Sequence, residues 1–423
     1  MEQNDNFTKI DLSNQTKLLE IDHRVIGKKL NLYHIQNKSP GMVFWHNNGY
    51  IIFKELEKLL RLKLKKYNYL EVKTPLITDF SIWEKTGHWK IYKEAIFTTL
   101  SENRNYCIKP MNCPAHIQIF QQKLKSYRDL PLRIAEFGIC HRNEPSGSLH
   151  GLMRLRNFTQ DDAHIFCTKN QVSREIENCI NMMYDVYHIF GFKKFLVKLS
   201  TRPTHKIGDN KIWDQTENNL SFILNKLNID FKYQEGEGAF YGPKIEFSFF
   251  DCLNREWQCG TIQLDFTLPK CLNLFYINDK NKRSTPIIIH RAILGSIERF
   301  IGILLEEFSG YLPIWLAPIQ IVILNISKKH IQYVLKLFTI IEKNNIRVKY
   351  DIKNQKISFK IRQYTIQHIP YILICGDREI KNNVISVRDC FGKNLGFMKI
   401  YDIINKIKKK INNYDINKKN KER

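Results

Sequence analysis

The sequence predicts an α+β fold: an antiparallel sheet flanked by helices over residues 22–312, then a smaller α/β domain over 313–412. Two patterns lead there. Between Asp22 and Leu312, strand-like segments follow one another without the regular strand–helix alternation that builds a parallel sheet. After "YLPIWLAP" that alternation begins, which argues for a separate unit. The size also fits, since 423 residues with 43% hydrophobic and 26% charged side chains suffice for two soluble globular domains.

Taken in order, residues 1–21 read as a polar leader. "GYIIFKELEKLLRLKLKKY" has apolar residues at helical spacing, and "YLEVKTPLI" follows as a strand ended by Thr74-Pro75. A hairpin spans residues 142–166. "KFLVKLSTRP", "PKIEFSFFDCL" and "EWQCGTIQLDF" read as strands, with "IWDQTENNLSFILNKLN" as a helix among them. "IHRAILGSIERFIGILLEEFSG" begins as a strand and continues as a helix. In the second domain, "IQIVILNI", "IRVKYDI" and "IPYILICG" are strands, and "KHIQYVLKLFTIIEKNN" and "ISFKIRQYTIQH" are helices. A basic helix, "IYDIINKIKKKINN", closes it, and residues 413–423 form a basic tail.

A formal net charge of +24 points to a polyanionic partner, RNA or DNA first. The richness in Lys, Ile and Asn assigns part of that excess to a coding bias toward A and T. The ten cysteines are scattered with no C-x-x-C pair, which argues for reduced thiols rather than a disulfide framework. No apolar run is long enough for a transmembrane helix and no secretory signal is evident, so the expected location is cytoplasmic.

The hairpin "RNEPSGSLHGLMRLRNFTQDDAHIF" carries the chemistry. Read as a strand, its second half shows Arg154, Arg156, Phe158, Gln160, Asp162 and His164 on one face. Arg142 and Glu144 share a face of the first strand. A guanidinium grips phosphate or carboxylate oxygens, an aromatic plate takes a flat base, and a carboxylate accepts from a hydroxyl or pairs with an ammonium. That mixture suits a nucleotide beside a small amino acid; a surface ladder of charge pairs is the plainer alternative. In "GSIERFIGILLEEF", Gly295, Ser296 and Arg299 share a helix face, so a ligand can approach the small pair beside the arginine. No G-x-x-x-x-G-K-[ST] loop occurs, and "GEGAFYG" does not fit the dinucleotide fingerprint, so arginines must hold any nucleotide. Cys113, His164 and His290 are far apart in sequence and by spacing alone read as core residues.

"FGICHRNEPSGSLHGLMRLRNFTQDDAHIF" closely resembles motif 2 of bacterial threonyl-tRNA synthetases, which are class II aminoacyl-tRNA synthetases. "IHRAILGSIERF" resembles their motif 3, and "YLEVKTP" their motif 1, which lies at the dimer interface. "WEKTGHW", "IKPMNCPAHIQIF", "LSTRP" and "GEGAFYGPKIEF" follow the family's order. The resemblance implies a homodimeric ligase that activates threonine with ATP and Mg²⁺ and charges tRNA(Thr), with a C-terminal anticodon-binding domain. Arg142 would bridge the ATP α-phosphate and the amino-acid carboxylate. Glu144 would hold the adenine edge, and Phe158 and Arg299 would enclose the base. Arg154, Gln258 and Thr261 would face phosphate, ribose and metal. Cys113, His164 and His290 would bind one Zn²⁺ that recognises threonine, with Asp162, Tyr241, Gln160 and Met111 around the amino acid. His88 would serve the transfer step, and Asn354, Glu379 and Arg388 would read anticodon bases. Only about twenty residues precede the core, so the N-terminal and editing domains typical of bacterial members are not expected here. The rival readings are a catalytically silent RNA-binding paralogue, marked by loss of Arg142 or Arg299, a class II enzyme for proline or serine, and a zinc hydrolase.

Overall fold

The computed structural model describes residues 20–87, 89–90, 93–192 and 195–415. The chain divides into two compact units, one of Ile35–Val43 and Glu57–Ile303, the other of the described residues in Met1–His34, Phe44–Leu56 and Leu304–Arg423. Helix α1 (Asn47–Lys66) realises the first apolar-periodic stretch.

The first unit is built on an eight-stranded sheet. Its strands are β1 (Leu70–Glu71), β2 (Leu132–His141), β3 (Asn157–Cys167), β4 (Leu196–Ser200), β5 (Lys232–Gln234), β6 (Lys244–Phe250), β7 (Glu256–Asp265) and β8 (Ile287–Ser296). Their order is β5-β4-β6-β7-β8-β3-β2-β1. Pairing is antiparallel from β4 across to β2, as expected, while β5 and β1 add a parallel strand at each edge. The helices of this unit include α2 (Cys113–Gln121), α3 (Val172–Ile189) and α4 (Asn210–Lys226), and α5 (Ile297–Glu307) starts in it. Helix α3 was not anticipated, yet its buried Ile176, Cys179, Ile180, Met183, Val186 and Tyr187 recur at three- and four-residue spacing. Each such aliphatic side chain contributes ~1.5–3 kcal/mol when fully buried.

The strand expected over "YLEVKTPLI" is much shorter. Only Leu70–Glu71 pairs with β2, and Ile77–Asp79 joins a separate three-stranded sheet with Thr98–Ser101 and Arg104–Ile108. The cause is local. Pro75 has no N–H to give a ladder, and Thr74 turns its N–H and hydroxyl to the Glu136 carboxylate, at 3.0 and 2.8 Å.

The second unit carries a five-stranded sheet of β9 (Ile321–Asn325), β10 (Val348–Asp351), β11 (Tyr371–Cys375), β12 (Ile385–Asp389) and β13 (Asn394–Met398), ordered β10-β9-β11-β12-β13. The first three strands are parallel, as strand–helix alternation requires, and β12 and β13 add an antiparallel hairpin. Helices α6 (Ile331–Glu342), α7 (Ile357–Ile366), α8 (Asp377–Lys381) and α9 (Ile400–Asn412) complete it. Ile321, Ile323, Leu373 and Val387 pack with Leu337 of α6 and Ile403, Ile404 and Ile407 of the basic helix α9. Among the described residues no helix is long and apolar enough to cross a membrane.

Candidate active site

The site lies on the sheet of the first unit. Strands β3 and β8 pair antiparallel with His164 directly opposite His290, and Cys113 begins α2. One ligand atom from each of these three buried residues falls within 4.8 Å of the others. Residues that spacing alone assigned to the core therefore meet, because strand register brings two of them together.

The donor set fits a soft divalent cation such as zinc: one thiol sulfur and two imidazoles, leaving a fourth position open. His164 Nε2 is buried with no hydrogen-bond partner, while its Nδ1 sits 2.8 Å from His116 Nδ1. Behind it, His116 Nε2 is 3.0 Å from Glu136 Oε2, and His290 Nε2 is 3.1 Å from Asp265 Oδ2. Each imidazole thus has its outer nitrogen engaged, the arrangement that orients metal-ligating histidines. Burial and the neighbouring His290 and His116 keep the His164 imidazole neutral, as ligation requires. Burial, with Asp162 and Asp265 nearby, holds the Cys113 thiol well above its usual pKa until a cation compensates.

Glu136 ties this shell together. Its carboxylate also accepts from Lys109 Nζ at 3.1 Å, which in turn donates to Thr74 Oγ1 at 2.8 Å. Burial alone would raise its pKa, but His116, the Thr74 N–H and Lys109 outweigh it and hold it at about 2. A depressed folded-state value stabilises the protein above the ordinary carboxylate pKa. That contribution is lost as pH falls from about 4.5 toward 2. Glu136→Gln is accordingly expected to lose ~3 kcal/mol of urea-denaturation stability at pH 7, with the difference from wild type shrinking across that acid window.

Beside Cys113 and His290 opens a cavity of about 460 Å³ lined by Met111, Cys113, Arg142, Glu144, Arg154, Phe158, Gln160, Asp162, Tyr241, Gln258, Thr261, His290 and Arg299, with His164 buried behind it. The sequence named all of these. Arg142 stacks its guanidinium 5.2 Å from the Phe158 ring centre and donates from Nε to the Pro110 carbonyl at 3.1 Å. Glu144 accepts from Arg154 Nε and Nη2 at 3.0 and 2.9 Å. Arg299 is anchored to the Met153 and Gln258 carbonyls at 2.8 and 2.6 Å. Asp162 accepts from Asn112 Nδ2 at 3.0 Å, and Gln258 Nε2 donates to Thr261 Oγ1 at 2.8 Å.

Parts of the sequence reading change. Strand β3 starts only at Asn157, so residues 142–156 form a loop and Arg142 and Glu144 lie just beyond β2. Arg156 leaves the predicted row: its guanidinium goes to the Glu144 carbonyl at 2.8 Å and Ser146 Oγ at 3.2 Å. His88 lies outside the described residues. In the second unit Asn354 follows β10 and Glu379 lies on α8 just after β11, whereas Arg388 sits on β12 opposite Ile372. Glu379 accepts from the Gly376 N–H at 3.0 Å, and Arg388 Nη1 donates to the Gly392 carbonyl at 2.7 Å.

Sequence reasoning missed Gln263, which lines the cavity and accepts from the Tyr241 hydroxyl at 3.2 Å. It stands two residues after Thr261 on β7, so period-two alternation was the available signal. It also missed the outer pair of His116 and Asp265. Within "GEGAFYG", Gly242 is fixed by packing, since a Cβ there would lie 1.6 Å from the Leu264 carbonyl oxygen, while Ala239 and Tyr241 line the cavity.

Residues 97–308 match the family described as the tRNA synthetase class II core domain (G, H, P, S and T), and residues 320–410 match the anticodon binding domain family. Fold and site thus define a class II aminoacyl-tRNA synthetase core joined to an anticodon-binding domain. Over 400 residues the chain is 64% identical to a threonine–tRNA ligase of Buchnera aphidicola subsp. Schizaphis graminum, covering 95% of this chain and 62% of that protein's length. A crystal structure of the RNA binding domain of threonyl-tRNA synthetase from Cryptosporidium parvum matches with a TM-score of 0.88 and 39% identity, over 92% of this chain and 98% of that one. A putative threonyl-tRNA synthetase of Aeropyrum pernix matches at 0.79 and 28% identity, over 93% and 97%. The chain belongs to the threonyl-tRNA synthetase family.

Proposed function

We propose that this chain is a threonine–tRNA ligase of the cytoplasm, joining L-threonine and ATP into threonyl-adenylate with release of diphosphate. It then passes the threonyl group to the terminal adenosine of tRNA(Thr), releasing AMP. The observation that carries the reading is the buried Cys113, His164 and His290 cluster opening into the same cavity as Asp162, Arg142 and Arg299.

In this reading Cys113, His164 and His290 hold one Zn²⁺. Bound there, it supplies a Lewis-acidic anchor for the amino and hydroxyl groups of threonine. Asp162 accepts from the threonine hydroxyl, Tyr241 assists the amino group, and Gln160 and Met111 wall the pocket. Arg142 holds the α-phosphate and the attacking carboxylate together. Glu144 meets the adenine edge, with the base between Phe158 and Arg299, and Arg154, Gln258 and Thr261 face the phosphates, ribose and the Mg²⁺ that accompanies ATP. Little covalent work is asked of the side chains, so positioning and charge stabilisation supply the rate. His88 serves the later transfer. Residues 22–312 act as the catalytic domain and 313–412 as the anticodon-binding domain, with Asn354, Glu379 and Arg388 reading bases. A homodimer forms about β1, the edge strand on which Leu70 is 59% exposed.

Amino-acid-dependent ATP–pyrophosphate exchange tests this. Serine keeps the hydroxyl and lacks one methyl, so its kcat/KM falls only ~10–200-fold below that of threonine. Valine leaves a site built for a hydroxyl unpaired and falls by ~10⁴ or more. Absence of threonine-dependent exchange from folded, zinc-loaded protein would sink the reading and leave RNA binding alone.

A further inference from the structure

Strands β3 and β8 stay in register from Ile287 to Ala292, which faces Asp162, and then slip, so that the next pair is Ser296 with Gln160. Ile293, Leu294 and Gly295 bulge out where the facing strand offers only Asp161. Such a break strands backbone N–H groups in a buried region, where they require other partners. Asp161 supplies them: Oδ2 accepts from the Ile293 N–H at 2.8 Å and Oδ1 from the Leu294 N–H at 2.9 Å. The reverse arrangement occurs alongside. Thr159 N–H on β3 donates to both carboxylate oxygens of Glu298 on α5, at 3.0 and 2.9 Å. The Ile293 carbonyl accepts from the Tyr187 hydroxyl at 2.6 Å.

The bulge sets the start of α5. Gly295 has φ +76° and a Cβ there would lie 2.7 Å from the Cys259 carbonyl oxygen, so β8 can make this approach only with glycine. Ser296 Oγ then accepts the Arg299 N–H at 3.0 Å, and α5 presents Arg299 to the cavity. We infer that Asp161, with Glu298 acting in the opposite direction, is a positioning residue for the nucleotide end of the site, setting Arg299 through the β8 bulge. This rests on the proposed role of Phe158 and Arg299 in holding the base. Neither acid lines the cavity; Asp161 is 5% and Glu298 3% exposed. Burial pushes both carboxyls up to about 7, at Asp161 against the pull of the buried Arg291, whose Nη1 lies 3.4 Å from Oδ2, so Asp161→Asn loosens that ion pair as well as one backbone hydrogen bond.

The test is a double-mutant cycle on ATP affinity in zinc-loaded protein, using wild type, Asp161→Asn, Arg299→Ala and the double variant. Asp161→Asn sets an amide NH₂ against one of the two backbone N–H donors. Misplacing a binding group by about an ångström costs up to ~10²-fold, so Asp161→Asn is expected to weaken ATP binding ~10–100-fold. Threonine affinity and zinc content stay unchanged. Because the acid acts through the arginine, the double variant binds ATP no more weakly than Arg299→Ala alone. Glu298→Gln runs in the same cycle and gives the same non-additivity, so a failure of Asp161→Asn to fold does not end the test. Losses that add in the double variant, or threonine and ATP weakening together, would mean a merely structural role and overturn the inference. Wild type that binds threonine but no ATP would overturn the nucleotide reading itself, and this inference with it.

Discussion

Stripping zinc from the protein, or substituting Cys113→Ala, is expected to lower kcat/KM for threonine in ATP–pyrophosphate exchange by ~10⁴, with ATP binding largely preserved. The magnitude reflects where discrimination resides. Threonine and valine differ by a hydroxyl for a methyl, and an apolar pocket separates such isosteres by only ~10². Greater selectivity needs polar groups that pay a penalty when the hydroxyl is missing. In the proposed reading Asp162, held by Asn112, would be one such group, and a cation on Cys113, His164 and His290 would be the other. Gly138 contributes by being small: a Cβ there would lie 2.3 Å from Asn112 Oδ1. Chelation followed by zinc add-back is the direct measurement. Recovery of threonine exchange on add-back supports the reading, and full exchange in zinc-free protein would overturn it. An effect on ATP binding as large as that on threonine would point instead to collapse of the sheet.

Different parts of this site were legible for different reasons. Phe158, Gln160 and Asp162 could be read directly, because alternation along one strand needs no knowledge of its partner. Arg156 misled that reading because the loop runs to residue 156, and nothing in an Arg-rich stretch marks where pairing begins. The candidate metal ligands lie at the other extreme. His164 and His290 meet only through the register of β3 on β8, and Cys113 arrives from the N-terminus of α2. No local pattern encodes a cross-strand meeting, so only resemblance to a known family supplied it. The His116–Glu136 relay was invisible for the same reason. In the second unit, strand–helix alternation announced the parallel strands, but the β12–β13 hairpin lacks a continuous apolar run, and its Asn394–Met398 strand has no fully buried residue.

Arg142→Ala is expected to reduce kcat for exchange by ~10³, and Arg142→Lys to recover less than tenfold of that loss. The proposed reaction brings two anions together, a carboxylate attacking an α-phosphate, so a cation shared by both would have its greatest effect as charge shifts in the transition state. The Pro110 carbonyl engages Arg142 Nε, and the Phe158 ring stacks on the guanidinium, which fixes the plane of the fork before substrates arrive. A lysine brings the charge without that plane or the paired donors, so it attracts the anions without aligning them. The effect should appear in kcat more than in KM for threonine, whose amino and hydroxyl groups are, in the proposed reading, held elsewhere in the cavity. Single-turnover formation of threonyl-adenylate measures it without interference from product release. A lysine variant within a few-fold of wild type would show that simple charge suffices there, and would remove Arg142 from the bridging role.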